Sequence, residues 1–259
     1  MLSVEDAGQG PPLVMLHAAA TSGKLWWQHI PRLARRFRVL AIDLPGHGQS
    51  PKPQGLLTLE GMSAELYRTL QALNLPRVHV LGLSLGGMVA QLLAVDHPSS
   101  VSSLTLCDTL CEIGPPQAQA LEERAGAVEQ GGMSAIVKST LERWFSPGFF
   151  SSHPEVVAEM EKLLLAADPT INAQTWRAIA KLNVASRLPK LHLPALVMNG
   201  SLDNSIPPGG GERLAQLLGT RLVELPGCAH MAPLETPGKF MDLLEPFLLN
   251  CEAGTGCGQ

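Results

Sequence analysis

The sequence predicts an α/β domain, a mostly parallel sheet flanked by helices on both faces, with a helical block inserted between two of its strands. Three observations predict it. Six short runs of Leu and β-branched residues recur along the chain without strict polar–apolar alternation, as strands covered on both faces require. Helical patterns lie between most of them, which implies right-handed crossovers in a layered domain. From about residue 110 to 194 the alternation stops and the chain reads as helices alone.

In chain order, the opening MLSVEDAGQG has neither the basic region nor the apolar core of a secretory signal, so a cytoplasmic location is expected. Strands are expected in PLVMLH (Pro12–His17), over Arg38–Ile42, and in RVHVLGLS, SSLTLCD, PALVMNG and TRLVELPG. Helices are expected over Leu57–Leu73, Gly87–Asp96, Glu212–Leu218 and Gly238–Leu248. The inserted block carries AQALEERAGAVEQGG, MSAIVKSTLERWF, PEVVAEMEKLLLAAD and AQTWRAIAKL. Short helices broken by Gly and Pro bury little core of their own, so the block is expected to lie as a lid over one end of the sheet. The expected division is therefore a core of residues 1–109 and 195–249, a helical cap of 110–194, and a small, polar, disordered tail of 250–259.

Composition narrows the function. The 259 residues carry a net charge of −4, too small for a nucleic-acid or anionic-membrane binder. The apolar stretch Val78–Val95 is interrupted by His79, Ser84, Gln91 and three glycines, and reads as strand–turn–helix rather than as a membrane span of roughly 20 apolar residues. Five cysteines without a C-x-x-C pair suggest reduced, buried thiols, and Cys107 and Cys111 are too few for a zinc site. No metal and no organic cofactor is expected, and the expected partner is a small molecule.

GLSLGGMVAQ places Ser84 in a G-x-S-x-G that follows a strand and opens a helix, the context this motif needs. Side chains two residues away on either side would collide with so sharp a turn, and the helix N-terminus offers free N–H groups to an anion beside Ser84. A serine hydroxyl needs a base, itself oriented by an acid. His230, in LPGCAHMAPLETP, follows the last expected strand. Asp203, after the fifth strand, and Asp108, after the fourth, are both candidate acids at the carboxyl edge where α/β sheets bind ligands. The order Ser84, Asp203, His230 matches that described for such a serine turn. His47, in DLPGHGQS, is better explained by a tight turn capped by Asp43.

These motifs, with LTLCDT, ERWF and LVMNGSLDNSIPP, resemble the α/β-hydrolase fold superfamily over residues 12–249, and most nearly its 3-oxoadipate enol-lactonase-like and carboxylesterase group. The resemblance implies Ser84 as nucleophile, Asp203 as acid and His230 as base, with Asp108 the runner-up acid. It implies an oxyanion hole from the N–H of Leu85 and of a residue after the first strand, where relatives usually carry HGxG. Here His17-Ala18-Ala19-Ala20 stands instead, so Ala19 is the expected donor and Ala18 the next. The short N-terminus implies seven strands or fewer.

The expected activity is cleavage of a small ester or lactone through an acyl-enzyme on Ser84. Carbon–carbon bond hydrolysis, perhydrolysis and acyl transfer share the triad, and a hydrolase-derived ligand receptor is the alternative of another class. Relatives with a carboxylate or Cys at the turn do not match Ser84, and hydroxynitrile lyases place Lys where Met231 stands. Trp26, Trp144 and Trp176 are expected to line the substrate pocket, with Trp27 and Phe145 beside them and Met133, Leu141 and Leu164 making it apolar. Arg143 is the one cap cation expected to meet an anionic substrate.

Overall fold

The computed structural model describes residues 1–254. Its seven strands are β1 (Val4–Ala7), β2 (Pro12–Leu16), β3 (Arg38–Ile42), β4 (Val78–Leu83), β5 (Val101–Cys107), β6 (Ala195–Gly200) and β7 (Leu222–Leu225), in the order β1-β3-β2-β4-β5-β6-β7. All neighbours are parallel except β1, which runs antiparallel to β3. Alternate residues serve opposite cores. Leu13, Met15, Leu81 and Leu83 pack on one face, and Val14, Leu16, Val80, Leu104 and Leu106 on the other.

Two-sided burial explains the unalternating runs, and β1 was missed because VEDA, with two acidic residues, offers no apolar run, whereas the other edge strand, β7, keeps one in LVEL. VEDA is half exposed, and Arg38 Nη2 donates to Asp6 Oδ2 at 2.7 Å, so an acidic residue suits that edge.

The helices before the insert are α1 (Ile30–Leu33), α2 (Leu59–Ala72) and α3 (Leu85–Asp96). Leu59, Met62, Leu66 and Leu70 give α2 its buried stripe, and Thr58 Oγ1 caps it by accepting from Gly61 N. Helix α3 is buried continuously from Leu85 to Ala94, as befits the element between β4 and the rest of the molecule.

Between β5 and β6 lie α4 (Pro115–Gly131), α5 (Ser134–Trp144), α6 (Pro147–Ser152), α7 (Pro154–Ala166) and α8 (Pro169–Ile179). The short α6 was not expected from PGFFSS; Ser146 makes it possible by accepting from Phe149 N. The stems of the insert are zipped together, Ile113 N to Leu182 O at 3.0 Å and Val184 N to Cys111 O at 2.8 Å. Arg177 of α8 pairs with Glu122 and Glu129 of α4.

After the insert come α9 (Gly210–Leu217), α10 (Ala232–Glu235) and α11 (Pro237–Glu252). Residues 250–252, expected in a disordered tail, are helical, and Glu252 Oε1 meets His79 Nε2 at 2.9 Å, holding the helix end against β4. Residues 255–259 of that tail lie outside the described residues. No helix among the described residues is long and apolar enough to cross a membrane.

The strand order positions the site. From β2 the chain goes outward to β3, then returns past β2 to β4 on its other side. The loops leaving β2 and β4 therefore diverge, and a crevice opens between them at the carboxyl edge.

Candidate active site

Ser84 joins β4 to α3 with φ 53° and ψ −114°, a strained conformation for a residue with a side chain. Its neighbours show why glycine is needed. A Cβ on Gly82 would stand 2.4 Å from the Gly86 backbone, and one on Gly86 would stand 2.4 Å from the Leu16 carbonyl oxygen. The turn is tied down by Ser84 N to Cys107 O (2.9 Å), Thr109 Oγ1 to Ser84 O (2.7 Å) and Gly86 N to His17 O (3.1 Å).

The loop after β2 is organised by a neutral histidine. Leu44 N donates to His17 Nε2 at 2.9 Å, so Nδ1 carries the proton and donates to Ala18 O at 2.8 Å. Burial, then the neighbouring His47, pushes the His17 pKa down to about 3. Thr21 Oγ1 also donates to Ala18 O, at 2.8 Å. Ala20 takes φ 60°, so the loop adopts a glycine-like conformation without glycine. Among the described residues, neither the Ala19 N–H nor the Leu85 N–H donates to a protein group. The Leu85 side chain packs into the core, and its amide is at the start of α3, directly after Ser84.

His230 and Asp203 meet directly, Nδ1 to Oδ2 at 2.8 Å, with side chains 8% and 1% exposed. Asp203 Oδ1 accepts from Ser205 N at 2.8 Å, which fixes the carboxylate's second oxygen. Burial acts to lower the His230 pKa, but the charge and hydrogen bond of Asp203, helped by the charge of Asp108, outweigh it and raise the value overall. Asp108, the other candidate acid, turns its carboxylate to Gly200 N (2.7 Å) and the Cys107 thiol (3.1 Å) instead. No hydrogen bond joins Ser84 to His230 among the described residues; a bound substrate would have to close that contact.

Ala18, Ala19, Ser84, Asp108 and His230 line one cavity of about 360 Å³ between the sheet edge and the insert. Arg124, Thr140, Arg143, Trp144 and Trp176 close it from the other side. The insert is latched to the His230 loop: Met231 N donates to Trp144 O (2.9 Å), and Glu235 accepts from Ala229 N (2.6 Å) and from Ser146 N (3.1 Å).

Trp144, Trp176 and Arg143 line the cavity that also holds Ser84, but Trp26 does not. It is 0% exposed in the core, stacked on Phe240 at 6.4 Å and edge-on to His29 at 5.7 Å. Trp27 is 58% exposed, while Phe145, Met133, Leu141 and Leu164 are core residues away from the cavity lining.

Arg124 was missed. Its guanidinium lies 4.7 Å over the Trp176 ring and its Nη2 donates to Thr140 Oγ1, while its Nε is buried without a partner. Burial, then the charge of Arg143, pushes its pKa down, and no carboxylate among the described residues pairs with it. The signal was available: Arg124 follows Leu121 by three and precedes Val128 by four, on the inward stripe of α4. No group of three or more metal-ligating side chains occurs among the described residues.

The arrangement can hold a hydroxyl, a base oriented by a buried carboxylate, and two unused amide donors around one cavity, the parts that acyl transfer uses. The family profile for the alpha/beta hydrolase fold matches residues 11–237. The 3-oxoadipate enol-lactonase 2 of Acinetobacter baylyi is 27% identical over 235 residues, 91% of this chain and 87% of its own. The crystal structure of the enol-lactonase from Burkholderia xenovorans LB400 is similar with a TM-score of 0.91 at 29% identity, covering 96% of each chain. A malate-bound thermophilic esterase from Thermogutta terrifontis is similar with a TM-score of 0.91 at 28% identity, over 96% of this chain and 93% of its own.

Proposed function

Because the chain belongs to the α/β-hydrolase fold family, a family with lactonase and esterase members, we propose that it is a serine hydrolase cleaving a small carboxylic ester or lactone. The observation that carries this reading is His230, bonded to the buried carboxylate of Asp203, on the wall of the same cavity as the strained Ser84. His230, its Nδ1 committed to Asp203, takes the Ser84 proton on Nε2 as Oγ attacks the carbonyl. The oxyanion is received by the N–H groups of Leu85 and Ala19, each such donor contributing about 3–4 kcal/mol to the transition state. His230 then protonates the leaving oxygen, and water resolves the acyl-enzyme through the same base. The raised basicity of His230 suits the first step, since its imidazolium is stabilised by Asp203.

The helical insert acts as the cap over this site and selects the substrate. Arg124, with no carboxylate beside it, and Arg143, in no salt bridge among the described residues though it feels the charge of Asp203, suit a substrate bearing a carboxylate distant from the scissile bond. The names of relatives support that choice: a 3-oxoadipate enol-lactonase and an esterase that binds malate. The test is hydrolysis of short p-nitrophenyl esters by wild type and Ser84→Ala, with mass detection of fluorophosphonate labelling. Turnover and labelling should vanish together in the variant. A folded wild type with neither signal would sink the reading.

A further inference from the structure

Asp108 has no part in the chemistry just described, yet it is fully buried on the wall of the same cavity. It holds a positive φ of 47°, rare for a residue with a side chain, so its neighbours must enforce the conformation. Its own N–H donates to Met198 O at 2.9 Å, and its Oδ1 accepts from Gly200 N at 2.7 Å. Gly200 is a junction. Its carbonyl accepts from Asp203 N at 3.0 Å, starting the turn that carries Asp203. It also lies so close to the His230 loop that a Cβ there would stand 2.2 Å from Ala229 O and 2.6 Å from Cys228 O. Leu202 N closes the contact by donating to Cys228 O at 2.8 Å.

We infer that Asp108 is a positioning residue of the site: its carboxylate pins Gly200, and with it the Asp203 turn and the His230 loop, while its negative charge favours the imidazolium of His230. The inference rests on the hydrolase reading for what His230 does. An Asp used only as a hydrogen-bond acceptor could be Asn without consequence; the charge is what adds a second role.

The groups facing Asp108 are the Cys107 thiol on β5, Asp203 after β6 and His230 after β7. Those facing His230 are Asp203, Asp108 and Arg143 of α5. Burial first, and then the charge of Asp203, pushes the Asp108 carboxyl up to about 7, with His230 and the two hydrogen bonds pulling it back. The charge that supports His230 is therefore itself lost on acidification, at a higher pH than an ordinary carboxylate would lose it.

The test compares wild type, Asp108→Asn and Asp108→Ala, with Asp108→Ser in place of alanine should the latter not fold. His230 is titrated by NMR in the resting protein, its signal assigned by its loss in His230→Gln, and kcat and KM are measured across pH on p-nitrophenyl acetate. In Asp108→Asn the His230 midpoint and the acid limb of kcat/KM should both move to lower pH. Its kcat should stay within several-fold of wild type, because the amide oxygen can still accept from Gly200. Asp108→Ala should show the same shift and, in addition, a kcat lower by roughly 10–100-fold at little-changed KM, the loss expected when a catalytic group is slightly misplaced. An unmoved His230 midpoint in Asp108→Asn would overturn the role of the charge. Equal kcat values for the Asn and Ala variants would overturn the pin. Absence of Ser84-dependent turnover would instead defeat the hydrolase reading, and the His230 titration would still decide whether Asp108 acts on that ring.

Discussion

Replacing Arg124 with Met should separate binding of a charged substrate from chemistry. The side chain stacks on Trp176, donates to Thr140, and leaves its Nε buried and unpartnered in the cavity that holds Ser84. A guanidinium that receives a substrate carboxylate makes charge-assisted hydrogen bonds contributing about 1.5–3 kcal/mol. At 1.4 kcal/mol per decade, losing them lowers kcat/KM for an anionic half-ester by roughly 10- to 150-fold. A neutral ester of the same length should lose only a few-fold. The assay is the ratio of the two kcat/KM values in wild type and variant. Stability should move the other way. Partly desolvated, with no carboxylate beside it and Arg143 repelling it, the cation opposes folding, so Arg124→Met should melt at the same temperature as wild type or higher. Equal losses on charged and neutral esters, or a lower melting temperature with an unchanged ratio, would refute the reasoning and make Arg124 a structural residue.

Two further outcomes follow from steric and electrostatic features of the core. In Gly86→Ala the new Cβ would meet Leu16 O at 2.4 Å and Leu16 C at 2.6 Å, backbone atoms that cannot rotate away. Overpacking of this kind costs about 1–3 kcal/mol, or roughly 2–12 °C of melting temperature in a chain this long, and fluorophosphonate labelling should slow with it. Gly126→Ala, whose Cβ meets nothing within 4 Å, is the control and should stabilise α4 slightly; equal melting losses in the two variants would contradict the packing argument. His17 supplies the pH outcome. Burial first, and then His47, lowers its pKa from 6.5 to about 3, so the folded chain binds that proton more weakly than the unfolded chain does. The stability linked to its neutral ring is present above pH 6.5 and is lost as pH falls from there toward 3. Asp108 is shifted upward and acts in the opposite sense, so the comparison is between variants: melting temperature should fall less steeply from pH 7 to 5 in His17→Gln than in wild type, and parallel slopes would contradict the assignment.

The parallel strands were legible because two-sided burial removes alternation, a signal that survives without any knowledge of partners. The edge strand β1 was not, since VEDA satisfies one neighbour and water with equal ease. Ser84, Asp203 and His230 could be put forward together as candidates because each follows a strand at the same edge of the sheet, and that edge is where strand direction collects loops. The pocket aromatics could not be sorted in this way. Trp26 and Trp144 have similar surroundings in the sequence and share one core cluster, but packing against His29 and Phe240 of α11 keeps Trp26 off the cavity wall that Trp144 joins. Arg124 went unnoticed because charged residues on a helix are usually solvated, and it took the neighbouring α8 to bury its stripe. Glu235 was equally silent, since its latch to Ser146 joins residues 89 positions apart in the chain.

Backbone strain gives an independent view of the same edge. Among the described residues, four other than glycine have positive φ: Ala20, Asn74, Ser84 and Asp108. Asn74 closes the C-terminus of α2, a position that commonly takes this conformation. The other three follow β2, β4 and β5 at one edge of the sheet, where Ser84 and Asp108 line the cavity and Ala20 stands next to its lining residue Ala19. A left-handed backbone costs an L-residue about 1–2 kcal/mol, so the chain opposes its own stability repeatedly at a single place. Each instance is over-determined: Ala20 by the Ala18–Thr21 bonds, Ser84 by Cys107 and Thr109, Asp108 by Met198 and Gly200. At Ala20 a glycine would relieve the strain, yet the alanine holds the same turn beside Ala19, which lines the cavity and whose amide has no protein acceptor among the described residues. Strain kept under that much restraint is what a preorganised anion site needs, because its donors must stand in place before charge appears on the substrate.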